Sequence, residues 1–300
     1  MTPPIVIALG GNALLKRGEA PDIATQRRNA GEAARALAPI AARHDIVITH
    51  GNGPQIGLLA QQQATQPAER IWPLDVLGAE SEGLIGYLLE QELRRVLPHR
   101  KLATLLTMVE VDPADPAMAR PTKPIGPVYE KPQWDALARR FGWAGAPDGG
   151  FMRRVVPSPR PKSILQTDVI RDLLAAGAIP ICAGGGGVPV ARGGGGWTGV
   201  EAVIDKDWTS ARLAAELGAD RLVMLTDVEA IYRDWNTPDA APIGNLTPSE
   251  AAAMALPAGS MGPKAAAAAW FAATTGRPAM IGALARAPEV VAGTSGTRIG

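Results

Sequence analysis

The chain has little with which to do covalent or metal chemistry. One cysteine (Cys182) and three histidines (His44, His50 and His99) stand in 300 residues. A lone cysteine has no intrachain disulfide partner. In Ile179-Pro180-Ile181-Cys182-Ala183 it reads as a small buried apolar side chain rather than a nucleophile. Three histidines and one cysteine do not make a zinc site, and no Ser-His-Asp set is evident. Aromatic residues are 4% of the chain, too few for base-stacking platforms. The formal net charge is +1, which argues against a nucleic acid or a membrane surface as the main partner. No apolar run reaches membrane length, and Pro3-Pro4 is a poor beginning for a secretion leader. The expectation is a cytoplasmic protein. GxGxxG is missing from the first glycine turn, and GxxxxGK[ST] from the whole chain.

What is present is a repeated device. Ile5-Val6-Ile7-Ala8-Leu9 has the length and composition of a buried parallel strand and runs into Gly10-Gly11-Asn12. Asp45 to Thr49 is a second strand, ending in His50-Gly51-Asn52-Gly53-Pro54. Ile179 to Ala183 is a later one, ending in Gly184-Gly185-Gly186-Gly187. A glycine turn between a strand and a helix presents bare N–H groups backed by the helix dipole, which suits an anion. Ligands bind at the carboxyl ends of such strands in open α/β sheets. His50 reads either as a base or as a turn-capping histidine.

Ile23 to Ala42 repeats apolar residues at helical spacing, and Leu84 to Leu97 carries a broad apolar stripe. Core burial and contact with a second subunit both account for that stripe. Leu102 to Val109 reads as a third strand. From Asp112 to Pro161 the chain turns rich in Pro, Gly, Arg and Trp and loses periodicity. A structureless loop of that length is unusual within a domain, so residues 112–161 read as an inserted, protruding subdomain. Prolines stiffen the backbone around Lys123 in Pro121-Thr122-Lys123-Pro124, as for a lid over an anionic site or a solvated surface loop.

Asp168 to Ala176 is a helix ending at Gly177, and Gly193 to Gly196 is a hairpin tip. Lys206 and Asp207 open the helix that continues from Trp208 to Leu217. An acid suits that dipole end, whereas a lysine suits it only beside an anion. Arg221 to Val228 is a strand and turn. Thr247-Pro248-Ser249-Glu250 forms a capping box, and Lys264 again sits at a helix start, before Ala265 to Ala273. Alternating strands and helices predict a three-layer α/β/α sandwich with a mostly parallel central sheet. Glycine turns and lysines in anion-favouring places predict phosphoryl transfer, which needs charge neutralisation and alignment more than covalent help.

These motifs together resemble the carbamate kinases of the amino-acid kinase family, nearly end to end. The resemblance rests on Ala8 to Leu14, His50 to Gln55, Pro121 to Pro127 and Arg153-Arg154-Val155-Val156-Pro157-Ser158-Pro159. It rests equally on Glu201 to Asp207, Leu225 to Val228 and Gly259 to Lys264. It implies one domain over 1–300 whose 112–161 insertion closes over the substrate. The implied reaction is ATP + carbamate ⇌ ADP + carbamoyl phosphate, with Mg²⁺, in nitrogen-compound catabolism, by a homodimer. Lys206 and Lys264 would neutralise phosphates, Asp207 would hold both ammonium groups, and Lys123 would reach onto the carbamate. Gly10, Gly11, Asn12, Gly51, Asn52, Gly53, Gly185 and Gly186 would cradle substrate. Asp227, Val228, Tyr232, Met261 and Gly262 would lie near the nucleotide. Where the family often reads Cys-Gly-Ala-Met-Ser-Gln, this chain reads Leu77-Gly78-Ala79-Glu80-Ser81-Glu82. The alternatives are another small carboxylate as acceptor, or a nucleotide-binding regulator without turnover.

Overall fold

The computed structural model describes residues 2–11, 14–16, 18–256 and 261–300. An eight-stranded sheet organises them. Its spatial order is Asn245–Leu246, Thr297–Ile299, Ala279–Ala283, Arg221–Thr226, Ile5–Leu9, Ile46–His50, Ala178–Ile181, Lys101–Thr104. Every neighbouring pair is parallel except Ala279–Ala283 with Thr297–Ile299.

The period-2 alternation of the central strand builds two cores. Ile5, Ile7 and Leu9 face one layer, against Leu37 of Ile23–Ala41, Leu88 and Leu89 of Leu74–Val96, and Val290 of Ala287–Ala292. Val6 and Ala8 face the other, against Ile170 of Thr167–Ala175, Leu213 of Lys206–Leu217 and Phe271 of Met261–Thr275. Strands covered on both faces must be apolar throughout, and Ile5–Leu9 is buried at all five positions. The molecule is therefore a three-layer α/β/α sandwich.

Local signals set several boundaries. Asp22 caps Ile23–Ala41 by accepting from the Thr25 N–H at 2.7 Å. Thr247 and Glu250 close a capping box on Pro248–Ala253. The apolar helix is longer than its stripe suggests, starting at Leu74.

The expected strand Leu102 to Val109 is two strands. Lys101–Thr104 ends the large sheet, and Met108–Val111 joins a second sheet ordered Gly196–Gly199, Val188–Gly193, Met108–Val111, Pro161–Ile164. The chain crosses between sheets at Leu105–Thr107. There the Leu105 N–H donates to Ile181 O, and Thr107 O accepts from the Val188 N–H.

Residues 123–156 form a third, antiparallel sheet, Lys123–Tyr129, Phe151–Val156 and Gly145–Asp148, with the helix Lys131–Phe141 packed on it through buried Trp134. This sheet is tied to the body at its base. Ile125 and Val156 share an apolar cluster with Ile56, Leu74, Leu77 and Val203. Gly126 also comes so close to the helix Gly53–Gln63 that a Cβ on Gly57 would fall 2.1 Å from its Cα.

Candidate active site

The site is built on the start of the helix Lys206–Leu217. Asp205 is its N-cap, accepting from the Asp207 N–H at 3.0 Å. The hydroxyls of Thr49 and Ser210 lie 2.6 Å apart, and Ser210 donates to Lys206 O at 2.7 Å. These bonds fasten the end of Ile46–His50 to the helix and bring its glycine turn up to Lys206. A Cβ on Gly51 would stand 3.0 Å from the Gly11 nitrogen and 3.4 Å from Lys206 Cδ. Glycine is needed there because two strand-end turns and a lysine stem already fill the space.

The ammonium of Lys206 donates to Asp207 Oδ1 at 2.5 Å, and that of Lys264 to Asp207 Oδ2 at 3.2 Å. One carboxylate thus holds two ammonium groups whose residues are 58 positions apart. Alongside, Lys123 pairs with Asp205 at 2.8 Å. Lys206 and Asp207 are buried, 8% and 3% exposed. Burial pushes the Lys206 ammonium below the usual lysine value, Asp207 opposes this and Lys264 adds to it. Burial would raise the Asp205 carboxyl, but Lys123 above all holds it down to about 2. Three ammonium and two carboxylate groups leave this cluster one net positive charge, with each acid committed to a lysine.

A cleft of about 620 Å³ opens on this cluster, lined by Lys123, Asp205, Asp207, Gly262, Lys264 and residues from Ser158 to Arg160. Arg160 and Trp208 are two members that sequence reasoning missed. The Arg160 guanidinium lies over the Trp208 ring, 3.2 Å from its centroid, and the Arg160 N–H is held by Asp115 at 2.9 Å. Nothing local announces the pair, since the two residues meet only in the fold. Asp205 stands within the Glu201 to Asp207 motif, but its ion pair with Lys123 spans 82 residues.

The other expected residues are spread over the strand-end turns, the start of the Lys264 helix and one hairpin. Gly10, Gly11, Gly51 and Gly53 lie at the strand ends beside Lys206 and the start of Gly53–Gln63. Gly185 and Gly186 form a tight turn after Ala178–Ile181. Gly185, at φ 66°, is so close to Asn52 that a Cβ would fall 2.1 Å from Asn52 Nδ2. Asn52 itself donates to Ser81 Oγ at 2.8 Å. Asp227 and Val228 follow Arg221–Thr226, whose Leu225 carbonyl accepts from the Gly10 N–H. Met261 and Gly262 open the helix that carries Lys264. Tyr232 sits on a hairpin against Trp235, 5.2 Å between ring centroids, and does not line the cleft. Asn12 lies outside the described residues, as do Gly259 and Ser260. His50 is the last residue of its strand, at the edge of the turn: it is 1% exposed, its Nδ1 is 3.2 Å from Gly51 O, and burial pushes it down to about 4.

A model described as the amino acid kinase family matches residues 3–283. The chain belongs to that family. Within it, the chain is 52% identical to a carbamate kinase of Rhizobium meliloti, across 98% of this chain and 92% of that protein. It is 42% identical to one of Pyrococcus horikoshii, across 100% and 99%. The solved structure of carbamate kinase from Giardia lamblia bound to AMP-PNP superposes with a TM-score of 0.90 at 39% identity, covering 99% of this amino acid kinase chain and 98% of that one.

Proposed function

We infer that the chain acts as a carbamate kinase, transferring a phosphoryl group reversibly between ATP and carbamate. The observation that carries this is the Asp207 carboxylate holding Lys206 and Lys264, with the Lys123–Asp205 pair on the same cleft. Identity to carbamate kinases over nearly the whole chain supports the choice of acceptor.

In the forward direction a carbamate oxygen forms a bond to the γ-phosphorus while the bond from that phosphorus to the β–γ bridging oxygen breaks. Carbamate is already an anionic nucleophile, so no proton has to be removed. The work left is electrostatic. Lys206 and Lys264 meet the transferring and leaving phosphates, and Asp207 keeps both ammonium groups aimed while the cleft is empty of anions. Lys123 arrives from the Lys123–Tyr129 strand, onto the carbamate side. Gly10, Gly11, Gly51, Asn52, Gly53, Gly185 and Gly186 cradle substrate, and the same role is proposed for Asn12. Asp227, Val228, Tyr232, Met261 and Gly262 border the nucleotide.

Mg²⁺ bound with the nucleotide would neutralise phosphate charge. Because Asp205 and Asp207 on the cleft are each paired with lysine, phosphate oxygens would be its main ligands. Residues 112–161 act as a lid, pivoting on the Ile125 and Val156 contacts. A homodimer through the exposed Val76 and Tyr87 side of Leu74–Val96 completes the proposal, as does a cytoplasmic setting. Among the described residues no helix is long and apolar enough to cross a membrane.

The test is direct. The protein is mixed with ADP, Mg²⁺ and carbamoyl phosphate, and ATP is measured. ATP formation is expected; its absence at any protein concentration defeats the reading.

A further inference from the structure

Behind the Gly184–Gly186 turn lies a carboxyl that the transfer chemistry leaves unused. Glu82, on the inward face of Leu74–Val96, is 1% exposed. Its Oε1 accepts from the Gly184 N–H at 2.8 Å, and its Oε2 from the Thr107 N–H at 3.3 Å. Thr107 Oγ1 in turn accepts from the Ala183 N–H at 2.8 Å. These bonds converge on Ala183, which is held at φ 51°, ψ 34°. A residue with a Cβ adopts that left-handed conformation at a cost and keeps it only where its surroundings over-determine it. Gly185, next to this knot, packs on Asn52 of the second glycine turn.

We propose that Glu82 is a positioning residue of the phosphoryl-transfer site: its carboxyl clamps the third glycine turn to the Thr107 crossing and so sets where that turn stands against Asn52. The role rests on the carbamate kinase reading, and it absorbs the Glu found where the family often has Gln.

The groups around this clamp are few. His50 lies against Gly184 from the neighbouring strand, and Cys182 precedes the turn on its own strand. The start of Lys206–Leu217 brings Lys206 and Asp207, already paired with each other. The strand Val188–Gly193 brings Arg192, which lies over Trp197 at the hairpin. Glu80 is the other acid on this stretch of helix. Burial pushes Glu82 up to about 8 against the pull of the Gly184 and Thr107 N–H groups, whereas it pushes His50 down to about 4 and the Cys182 thiol far up. Of these three, Glu82 is the one that changes charge near pH 8. Protonated, it keeps a carbonyl oxygen on Gly184 and presents a poor acceptor to Thr107. Ionised, it grips both N–H groups.

The experiment is the pH dependence of KM and kcat for carbamoyl phosphate, in the ATP-forming direction, for wild type, Glu82→Gln and Glu82→Ala. Wild-type KM should fall as pH rises through about 8. Glu82→Gln should lose that inflection and raise KM several-fold, with kcat changed less. Glu82→Ala strands two buried donors and should raise KM by roughly tenfold. An unshifted inflection in Glu82→Gln overturns the proposal, as does an unchanged KM in Glu82→Ala. If Glu82→Ala does not fold, Glu82→Gln decides; if that isostere does not fold either, the carboxyl is purely structural and the proposal fails. Absence of ATP formation by wild type is a separate outcome, which removes the carbamate kinase reading and this proposal with it.

Discussion

Two buried regions meet the same glycine turns and hold ionisable groups in opposite ways. At the start of Lys206–Leu217 the groups are charged and paired: two ammonium groups on one carboxylate, a third on its neighbour. Behind Gly184 they are unpaired and driven toward neutrality by burial, Glu82 upward and His50 downward. The first arrangement keeps charge ready to be handed to an anion. The second keeps charge out of the core and uses hydrogen bonds to hold backbone shape. Removing a partner from the first leaves a bare buried charge; in the second, a proton gained by His50 or lost by Glu82 creates one. Each has its own way of failing.

The largest effect is expected at Asp207. Asp207→Ala takes from two neighbouring ammonium groups, one of them buried, the carboxylate that they share. Breaking such a pair typically costs about 3–5 kcal/mol. A fall of that size in a denaturant titration, with loss of ATP formation, is the expected result. Unchanged stability would mean that solvent, not Asp207, carries these charges. Lys206→Ala sharpens the same point from the cation side. It should lower kcat by a hundredfold to a thousandfold, about 2.7–4 kcal/mol of transition-state stabilisation. A rate near wild type removes Lys206 from the reacting centre.

The second region fails with pH. His50 is lowered to about 4 in the fold, from about 6.5 unfolded. Between those values the unfolded chain binds the extra proton, so stability is fully present above about pH 6.5 and drains away as pH falls through 4. The shift corresponds to about 3 kcal/mol. Denaturant titrations at pH 7, 5.5 and 4 should show that loss, and His50→Phe should flatten it. Glu82, raised from about 4.5 to about 8 by burial, has the opposite sign and opposes His50 between about pH 4.5 and 6.5. The His50 contribution is therefore read as the difference between wild type and His50→Phe at each pH. A difference that does not change between pH 7 and pH 4 would mean that His50 is accessible to solvent protons.

The sequence made the charged region more legible than the neutral one, for a physical reason. Strand-end glycine turns are local, since a short apolar run and two glycines announce themselves. A lysine at a helix start is local too, because the dipole makes it conspicuous. So Lys206 and Lys264 could be picked out from helix-start positions, and Lys123 from its flanking prolines. The carboxylate that joins Lys206 to Lys264 is a fact of the fold. The neutral region depends on such facts throughout. Glu82, Thr107 and Gly184 meet across 25 and 102 residues, and nothing near Glu82 marks it as inward-facing except the helical stripe. The split of Leu102 to Val109 was hidden likewise. Its apolar run is continuous, and the break at Leu105–Thr107 is made by partners on Ile181 and Val188, although half-exposed Leu106 marks where the run leaves the core.

The smallest expected effect tests whether the charged region extends to Arg160. This guanidinium lines the cleft but is stacked on Trp208 instead of being locked in a tight carboxylate pair. Its burial lowers it from the usual arginine value while Asp205 and Asp115 oppose that fall. A cation free to offer its N–H groups to a phosphate adds ground-state binding more than rate. Arg160→Ala should therefore raise KM for ADP a few-fold, about 1 kcal/mol, with kcat nearly unchanged. Arg160→Lys should recover only part of that loss, because an ammonium lacks the planar face that lies on the indole. A kcat loss as deep as that of Lys206→Ala would place Arg160 among the groups that meet the transferring phosphate. An unchanged KM would make the Trp208 stack a fold contact alone.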